Sequence, residues 1–281
     1  MNTTCYIVTY NSERHIAGCV DAAKRSAIED IVIWDNASVD ATLDTVNSRD
    51  DSGLRIVRSA TNIGFAKAVN AAVATCPPSD RVLLLNPDCL VTAELIQTLT
   101  AILDGDARVG FVAPGMIYPD GHRGRAGGGP PTITKELIRL TRIDEFVTRL
   151  HLTGFLSALL PSRLSLSLRQ YHLAQQTGAA IALPWVSGFC MLARRDAWVQ
   201  LGGFDENYFM YFEDVELCAR AWRAGWQVIC ARDIAAIHDE SASSQKHEKN
   251  RLYLDSMRRY FMANGNWLQR SLAPAIAWLS R

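Results

Sequence analysis

The sequence predicts an α/β fold with a mostly parallel central sheet flanked by helices. Two observations carry this. Over the first 113 residues, short and almost wholly apolar β-rich runs alternate with stretches of helical periodicity. The chain is also 281 residues long and 48% apolar, enough for a buried core in one α/β domain with an appendage.

The strands are read first. Cys5–Thr9, Ile31–Trp34, Leu54–Val57, Arg81–Leu85 and Val109–Ala113 are strand-like runs, with helices expected near 13–26, 40–48, 65–75 and 92–103 between them. In such sheets ligands bind beyond the carboxyl ends of the strands. That directs attention to Thr9, Tyr10 and Asn11, to Asp35 and Asn36, and to Asn86-Pro87-Asp88.

The middle differs in character. Tyr118-Pro-Asp-Gly121 signals a turn, and Gly127-Gly-Gly-Pro-Pro131 an irregular or mobile connection. Residues 134–175 carry helical periodicity with Arg139, Arg142, Arg149, Arg163 and Arg169 interspersed, and Pro161 divides them into two helices. A third block, 184–240, returns to strand, helix and loop. A helical pair near 248–263 and 267–279 follows, broken at Asn264-Gly-Asn266. The expected organisation is one domain over 1–245, made of a first half (1–115), an insert (116–183) and a second half (184–245). A C-terminal amphipathic extension covers 246–281.

Composition excludes several classes. A formal net charge of zero gives no global field for nucleic acid. Seven cysteines without a CxxC read as reduced, buried thiols, not as a disulfide framework or zinc site, and suggest a cytoplasmic protein. There is no signal-peptide pattern and no run of eighteen uncharged apolar residues. Charge is uneven only in the tail, where seven Lys/Arg face Glu248 and Asp255 from Lys246 onward.

Four constellations carry chemistry. Asp35, at a strand end, suits a hydrogen bond to a base or ribose; the alternative is a turn in which Asn36 or Ser38 caps the next helix. In Asn62-Ile-Gly-Phe-Ala-Lys67, a helix N-terminus and Lys67 suit a phosphate; the alternative is a plain loop–helix junction. Neither GxGxxG nor GxxxxGK[ST] occurs, which disfavours an NAD(P)-dependent oxidoreductase. Asn86-Pro87-Asp88 presents one carboxylate suited to a divalent cation whose other ligands are diphosphate oxygens and water; the alternative is a cap before the helix near Thr92.

The fourth block holds Trp185-Val-Ser-Gly188, Gly202-Gly-Phe-Asp-Glu206, Tyr211-Phe-Glu-Asp214 and Arg220. Apolar neighbours raise the basicity of Glu213 and Asp214, as a general base needs. In the alternative, one of the pair caps the helix Val215–Ala224 and Arg220 pairs with the other. Trp185, Gly188 and Arg220 are candidates for the acceptor side. His238 taken alone reads as a surface or satisfied core histidine.

Taken in order, Val8-Thr-Tyr-Asn11, Asp35-Asn-x-Ser-x-Asp40-x-Thr42, Asn62-x-Gly-Phe-Ala, Asn86-Pro-Asp88, Gly202-Gly-Phe-Asp-Glu, Tyr211-x-Glu-Asp214 and His238 resemble family 2 glycosyltransferases, in particular their bacterial rhamnosyltransferase branch. The resemblance covers about residues 4–240. It implies a GT-A fold, Rossmann-like, and an inverting, metal-dependent transfer from a nucleotide sugar. Thr9, Tyr10, Asn11 and Asp35 would form the nucleotide pocket, with Asn62, Lys67 and Asn86 near the donor's ribose or diphosphate. Asp88 and His238 would hold Mg²⁺ or Mn²⁺, and Asp214, beside Glu213, would be the base. Asn86 stands where the family often carries the first acid of Asp-x-Asp, which leaves Asp88 as the main carboxylate ligand.

The expected reaction moves L-rhamnose from dTDP-rhamnose to a polyprenyl-diphosphate-linked N-acetylglucosamine, in synthesis of a bacterial surface polysaccharide such as O-antigen. The alternatives are a UDP-sugar donor (galactofuranose, galactose or N-acetylglucosamine) and a non-catalytic nucleotide-sugar-binding scaffold. A glycosidase, with two carboxylates flanking the scissile bond, is disfavoured. The basic amphipathic tail suits peripheral contact with the inner face of the cytoplasmic membrane; the alternative is a helical pair packed on the catalytic domain or on a second subunit.

Overall fold

The computed structural model describes residues 2–28, 30–47, 53–75, 79–133, 177–239 and 246–279. The expected helical insert at 134–175, with Pro161 and its five arginines, lies outside the described residues.

The first half follows the predicted alternation. The strands β1 (Thr3–Thr9), β2 (Asp30–Asp35), β3 (Leu54–Arg58) and β4 (Arg81–Leu85) enclose α1 (Ile16–Arg25), α2 (Thr42–Asn47) and α3 (Phe65–Ala74). After β4 come a two-residue strand β5 (Cys89–Leu90), α4 (Ala93–Gly105) and β6 (Val109–Ile117). Every residue of β4 is buried, as a central strand covered on both faces requires. α4 buries Leu95, Ile96, Leu99 and Leu103 along one face. Its cap is Thr92, whose hydroxyl accepts from the Leu95 amide at 3.2 Å, so Asp88 is left clear of that duty.

Then come β7 (Arg123–Gly124), β8 (Gly127–Gly128), β9 (Ile181–Ala182), β10 (Trp185–Val186) and β11 (Cys190–Arg194). They lead into α5 (Arg195–Leu201), α6 (Glu213–Arg223), β12 (Gln227–His238), α7 (Lys246–Asn264) and α8 (Trp267–Leu279). The main sheet runs β3-β2-β1-β4-β11-β6-β12-β5, with β7 beside β6 and β9 beside β12. β3, β2, β1 and β4 are mutually parallel, as are β6 and β12; β11 lies antiparallel between β4 and β6. The antiparallel β11 thus joins the two halves into one sheet.

One sequence expectation is corrected in part: Gly127-Gly128 is a packed strand, and the irregular connection begins at Gly129. Gly127 and Gly128 pair with Val186 and Trp185, and a Cβ on Gly127 would come within 2.6 Å of the Trp185 carbonyl. For α7 the structure favours the packing alternative. The helix buries Leu254, Met257, Tyr260 and Phe261, and Ser256 donates its hydroxyl to the Met210 carbonyl at 2.7 Å. Packing accounts for α7, whereas Trp267, Leu268 and Leu272 of α8 are exposed. Among the described residues no helix is long and apolar enough to cross a membrane.

Candidate active site

At the ends of β1 and β2, paired in register at Thr9 and Asp35, two loops interlock. The Asn11 amide donates to the Ser38 hydroxyl and the Val39 amide to the Asn11 side-chain oxygen, both at 2.9 Å. Asn11 adopts φ 53, a left-handed turn that asparagine tolerates. Thr9 is fully buried beneath, and Tyr10 is half exposed at the rim. Neither Asn36 nor Ser38 caps α2; the Thr42 amide meets Asp40 at 3.1 Å. Asp35 was expected to read the base directly. Its carboxylate has no exposure, accepts the Ser38 amide at 3.1 Å and lies 3.9 Å from the Arg58 guanidinium. It holds the loop from beneath.

The Asn62-x-Gly-Phe motif also has a different local use from the one expected. Asn62 accepts from the Asn36 amide group at 2.8 Å and the Gly64 amide at 3.0 Å. The Phe65 amide donates to the Phe209 carbonyl at 2.6 Å. The Gly64 and Phe65 amides at the start of α3 are therefore taken by protein. Gly64 is required here: its φ is +85, and a Cβ would sit 2.7 Å from the Phe209 oxygen. Lys67, in the first turn, remains exposed.

At the end of β4 the chain brings Asn86, Asp88 and His238 together. His238 ends β12 and pairs with Cys89 of β5, across a register shift between Ala231 and Ala235 that re-aims the strand. Its Nε2 lies 3.2 Å from Asp88 Oδ1 and 3.1 Å from Asn86 Nδ2. Histidine and aspartate side chains are 8% and 9% exposed, so the pair is closed in by protein. His238 is thus neither a surface residue nor a plain core one. Among the described residues no group of three or more His, Cys, Asp or Glu gathers around a point. One carboxylate and one imidazole still suit a hard divalent cation that draws most of its ligands from diphosphate oxygens and water.

Asp214 lies in the first turn of α6, after two consecutive left-handed residues, Tyr211 (φ 69) and Phe212 (φ 65). Side chains disfavour that region, so the turn needs outside support. Tyr253 packs on both rings, Tyr260 on Phe212, and Ser256 holds the Met210 carbonyl. The Asp214 carboxylate accepts from the Gly188 amide at 2.9 Å and the Val215 amide at 2.7 Å. Burial pushes its pKa up against those hydrogen bonds and the positive charge of Arg125. Glu213 is also pushed up, by burial first and then by the neighbouring Asp214, and its Oε2 has no hydrogen-bond partner among the described residues.

One short segment ties these parts together. Gly188 holds Asp214. Phe189, next in sequence, stacks on the His238 ring with centroids 5.1 Å apart, and its carbonyl accepts the Asn86 amide at 2.8 Å. Trp185, three residues earlier, is buried; its indole N–H donates to the Gly129 carbonyl at 3.0 Å, and the Arg125 guanidinium lies over its ring at 4.8 Å.

Arg220 was expected on the acceptor side, or paired with Glu213 or Asp214. The structure gives it a bracing role. Its Nε lies 2.8 and 2.7 Å from the two Glu216 oxygens, and its terminal nitrogens donate to the Leu201 and Gly203 carbonyls. It thereby fixes the Gly202-Gly203-Phe204 loop. Asn70 of α3 grips the same loop, accepting the Phe204 amide at 3.0 Å and donating to the Phe204 carbonyl at 2.9 Å. Gly203 has φ +71, and a Cβ there would strike the Asn70 oxygen at 2.4 Å.

Sequence reasoning missed Asn70, Arg125 and Phe189. Asn70 lies one helical turn past Ala66, on the face of α3 that meets this loop. Arg125 and Phe189 gave no local signal, because their significance is a tertiary contact.

The six described cysteines are buried and unbridged; burial raises the thiols of Cys5, Cys19, Cys89, Cys218 and Cys230 and makes poor nucleophiles of them.

Comparison with known proteins agrees with this architecture. The N-acetylglucosaminyl-diphospho-decaprenol L-rhamnosyltransferase of Mycobacterium tuberculosis is 28% identical over 259 residues, covering 87% of this chain and 78% of that protein. A crystal structure of GalNAc-T7 with UDP, GalNAc and Mn²⁺ aligns with a TM-score of 0.63 at 15% identity, over 93% of this chain and 47% of that one. The mannosyltransferase PcManGT of Pyrobaculum calidifontis, in complex with GDP-Man and Mn²⁺, aligns with a TM-score of 0.60 at 16% identity, over 99% of this chain and 69% of that one. The two structural likenesses establish the GT-A fold. Residues 2–263 match the family described as "Glycosyltransferase like family 2", and the chain belongs to that family.

Proposed function

We propose that this family member is an inverting, metal-dependent hexosyltransferase, that its donor is dTDP-L-rhamnose, and that its acceptor is an N-acetylglucosamine carried on a polyprenyl diphosphate. The observation that carries the reading is the Gly188-Phe189 segment. It touches the Asp214 carboxylate with one residue and the Asn86–His238 pair with the next. The name of the rhamnosyltransferase above supports L-rhamnose as the sugar and an N-acetylglucosaminyl-diphospho-polyprenol as the acceptor.

Asp214 accepts the proton of the acceptor hydroxyl while that oxygen attacks the anomeric carbon. The new C–O bond forms opposite the breaking bond to the donor's diphosphate, which leaves as the nucleoside diphosphate, and the configuration inverts. The Gly188 and Val215 amides fix both carboxylate oxygens, and each oxygen keeps a lone pair for the incoming proton. The raised pKa of Asp214 strengthens it as a base. Glu213 beside it is raised as well, by burial first and then by the Asp214 charge, so ionising both carboxyls at once is disfavoured.

Asp88 and His238 would hold the divalent cation, which when bound neutralises charge on the departing diphosphate. Asn86 orients the histidine. Tyr10 and Asn11 line the nucleotide end over the buried Thr9, Asp35 and Asn62 hold its loops, and Lys67 offers a cation to the phosphates. The exposed Trp267, Leu268 and Leu272 support contact of α8 with the membrane that carries the lipid acceptor.

A panel of nucleotides and nucleotide sugars, titrated calorimetrically with Mg²⁺ or Mn²⁺, tests the donor. dTDP and dTDP-rhamnose should bind more tightly than their UDP counterparts. Preference for UDP would move the reading to a UDP-sugar transferase, and no nucleotide binding would end it.

A further inference from the structure

Beside the Asp214 turn, the α6 face carrying Val215, Ala219 and Trp222 forms one wall of a cavity of about 440 Å³. Pro130, Pro131, Leu183, Pro184, Trp185 and Tyr260 of α7 also line it. This volume lies within the roughly 300–1,000 Å³ usual for ligand pockets. Both tryptophans have their polar atoms engaged elsewhere. The Trp185 N–H goes to the Gly129 carbonyl at 3.0 Å and the Trp222 N–H to the Leu183 carbonyl at 2.9 Å. The rings therefore face the cavity as hydrocarbon, and nothing in its named walls offers a charge.

The charge lies at one edge. Arg125 stands over the Trp185 ring at 4.8 Å, and its positive charge reaches Asp214. Val215, which lines the cavity, directly follows Asp214 in sequence. Trp185 and Val215 both line the cavity, so Arg125, stacked on the first, and Asp214, next to the second in sequence, each adjoin it.

We infer that this cavity takes the first isoprene units of the lipid acceptor, with Arg125 on its diphosphate and the sugar hydroxyl at Asp214. An isoprenoid diphosphate matches the sequence of chemistries: hydrocarbon for the tryptophan and proline walls, dianion for the guanidinium, hydroxyl for the carboxylate. The inference rests on the glycosyl-transfer reading above and assigns that site a substrate class and a place for its chain.

Calorimetry on the full chain with farnesyl diphosphate and with inorganic diphosphate tests it. Farnesyl diphosphate should bind tighter by on the order of tenfold or more, since each buried methylene multiplies affinity several-fold. Ala219→Trp, which fills the cavity, should bring the two affinities together, and Arg125→Gln should weaken both ligands. Equal affinity in the unaltered chain, or an undiminished ratio in Ala219→Trp, overturns the proposal. If Ala219→Trp does not fold, photolabelling of the unaltered chain by a diazirine-bearing isoprenoid diphosphate decides. Adducts within 183–185 or 215–222 are expected, and adducts confined elsewhere overturn it. Transfer to a lipid-free N-acetylglucosamine glycoside, measured alongside, separates the two readings. Transfer without isoprenoid binding overturns the cavity assignment alone. Absence of both nucleotide-sugar binding and transfer overturns the enzymatic reading beneath it.

Discussion

The Gly188 amide donates to Oδ2 of Asp214 at 2.9 Å, and through it the turn leading into α6 is joined to the linker between β10 and β11. Phe189 continues the same linker onto His238. That linker runs directly into β11, which is held in the sheet between β4 and β6.

The carboxylate pair makes stability fall with rising pH. Glu213 has a folded-state pKa raised well above its ordinary value by burial. Between the unfolded and folded pKa the native state holds more protons than the unfolded state, so unfolding free energy decreases as pH rises through that window. Glu213→Gln removes the titration. It should raise the denaturant midpoint at neutral pH, with the gain shrinking as pH falls below the ordinary carboxylate range. An equal effect at every pH would show that Glu213 does not titrate in this way.

Activity has the opposite dependence. Asp214 must be ionised to accept a proton, and burial raises its pKa. The acid limb of the kcat/KM profile should lie above the ordinary aspartate range, with activity lost as pH falls through it. Its position is read from initial rates across pH.

His238 and Asp88 act on the cation. Excess chelator should abolish transfer, and added Mn²⁺ should restore it. His238→Ala should raise the Mn²⁺ concentration needed for half-maximal rate by about tenfold or more, or about 1.4 kcal/mol. Transfer that persists undiminished in chelator would remove the metal from the account.

Arg220→Ala separates bracing from acceptor contact. Its partner Glu216 is 9% exposed at the side chain, and breaking such a pair leaves a buried charge, at a cost of about 3 kcal/mol. The loss should appear in the denaturant midpoint. A raised acceptor KM with unchanged stability would return Arg220 to the acceptor side.

Deleting 246–281 should unfold or inactivate the protein, and so cannot serve as a membrane test. α7 buries Leu254, Met257, Tyr260 and Phe261, each contributing roughly 1.5–3 kcal/mol. Their sum is comparable with a typical net stability of about 5–15 kcal/mol. Membrane contact is better read from a Trp267→Ser, Leu268→Ser, Leu272→Ser triple variant of α8, which should lose binding to anionic vesicles while melting normally.

The strands and the first helices were legible because each is a local pattern: β4 is five apolar-flanked buried residues, and α4 repeats its apolar positions with the helical period. The order of motifs was equally legible, since each marks the end of a strand or the start of a helix. What failed was partner choice. Nothing local distinguishes Glu216 from Glu213 as the partner of Arg220, because the decision is made by which face of α6 meets the Gly203 loop. The Gly127-Gly128 strand was read as loose because glycine marks both open turns and close backbone approach. The apolar pattern of α7 was visible, but amphipathicity does not name the surface it meets.

The most direct measurement is the transfer rate of Asp214→Asn beside its affinity for the donor nucleotide. The substitution keeps the shape of the side chain and removes the base. The account predicts a fall in kcat of about 10²–10⁴-fold, the usual contribution of a general base, with donor affinity within a few-fold of the unaltered chain. Full transfer rate in Asp214→Asn with donor bound would contradict it.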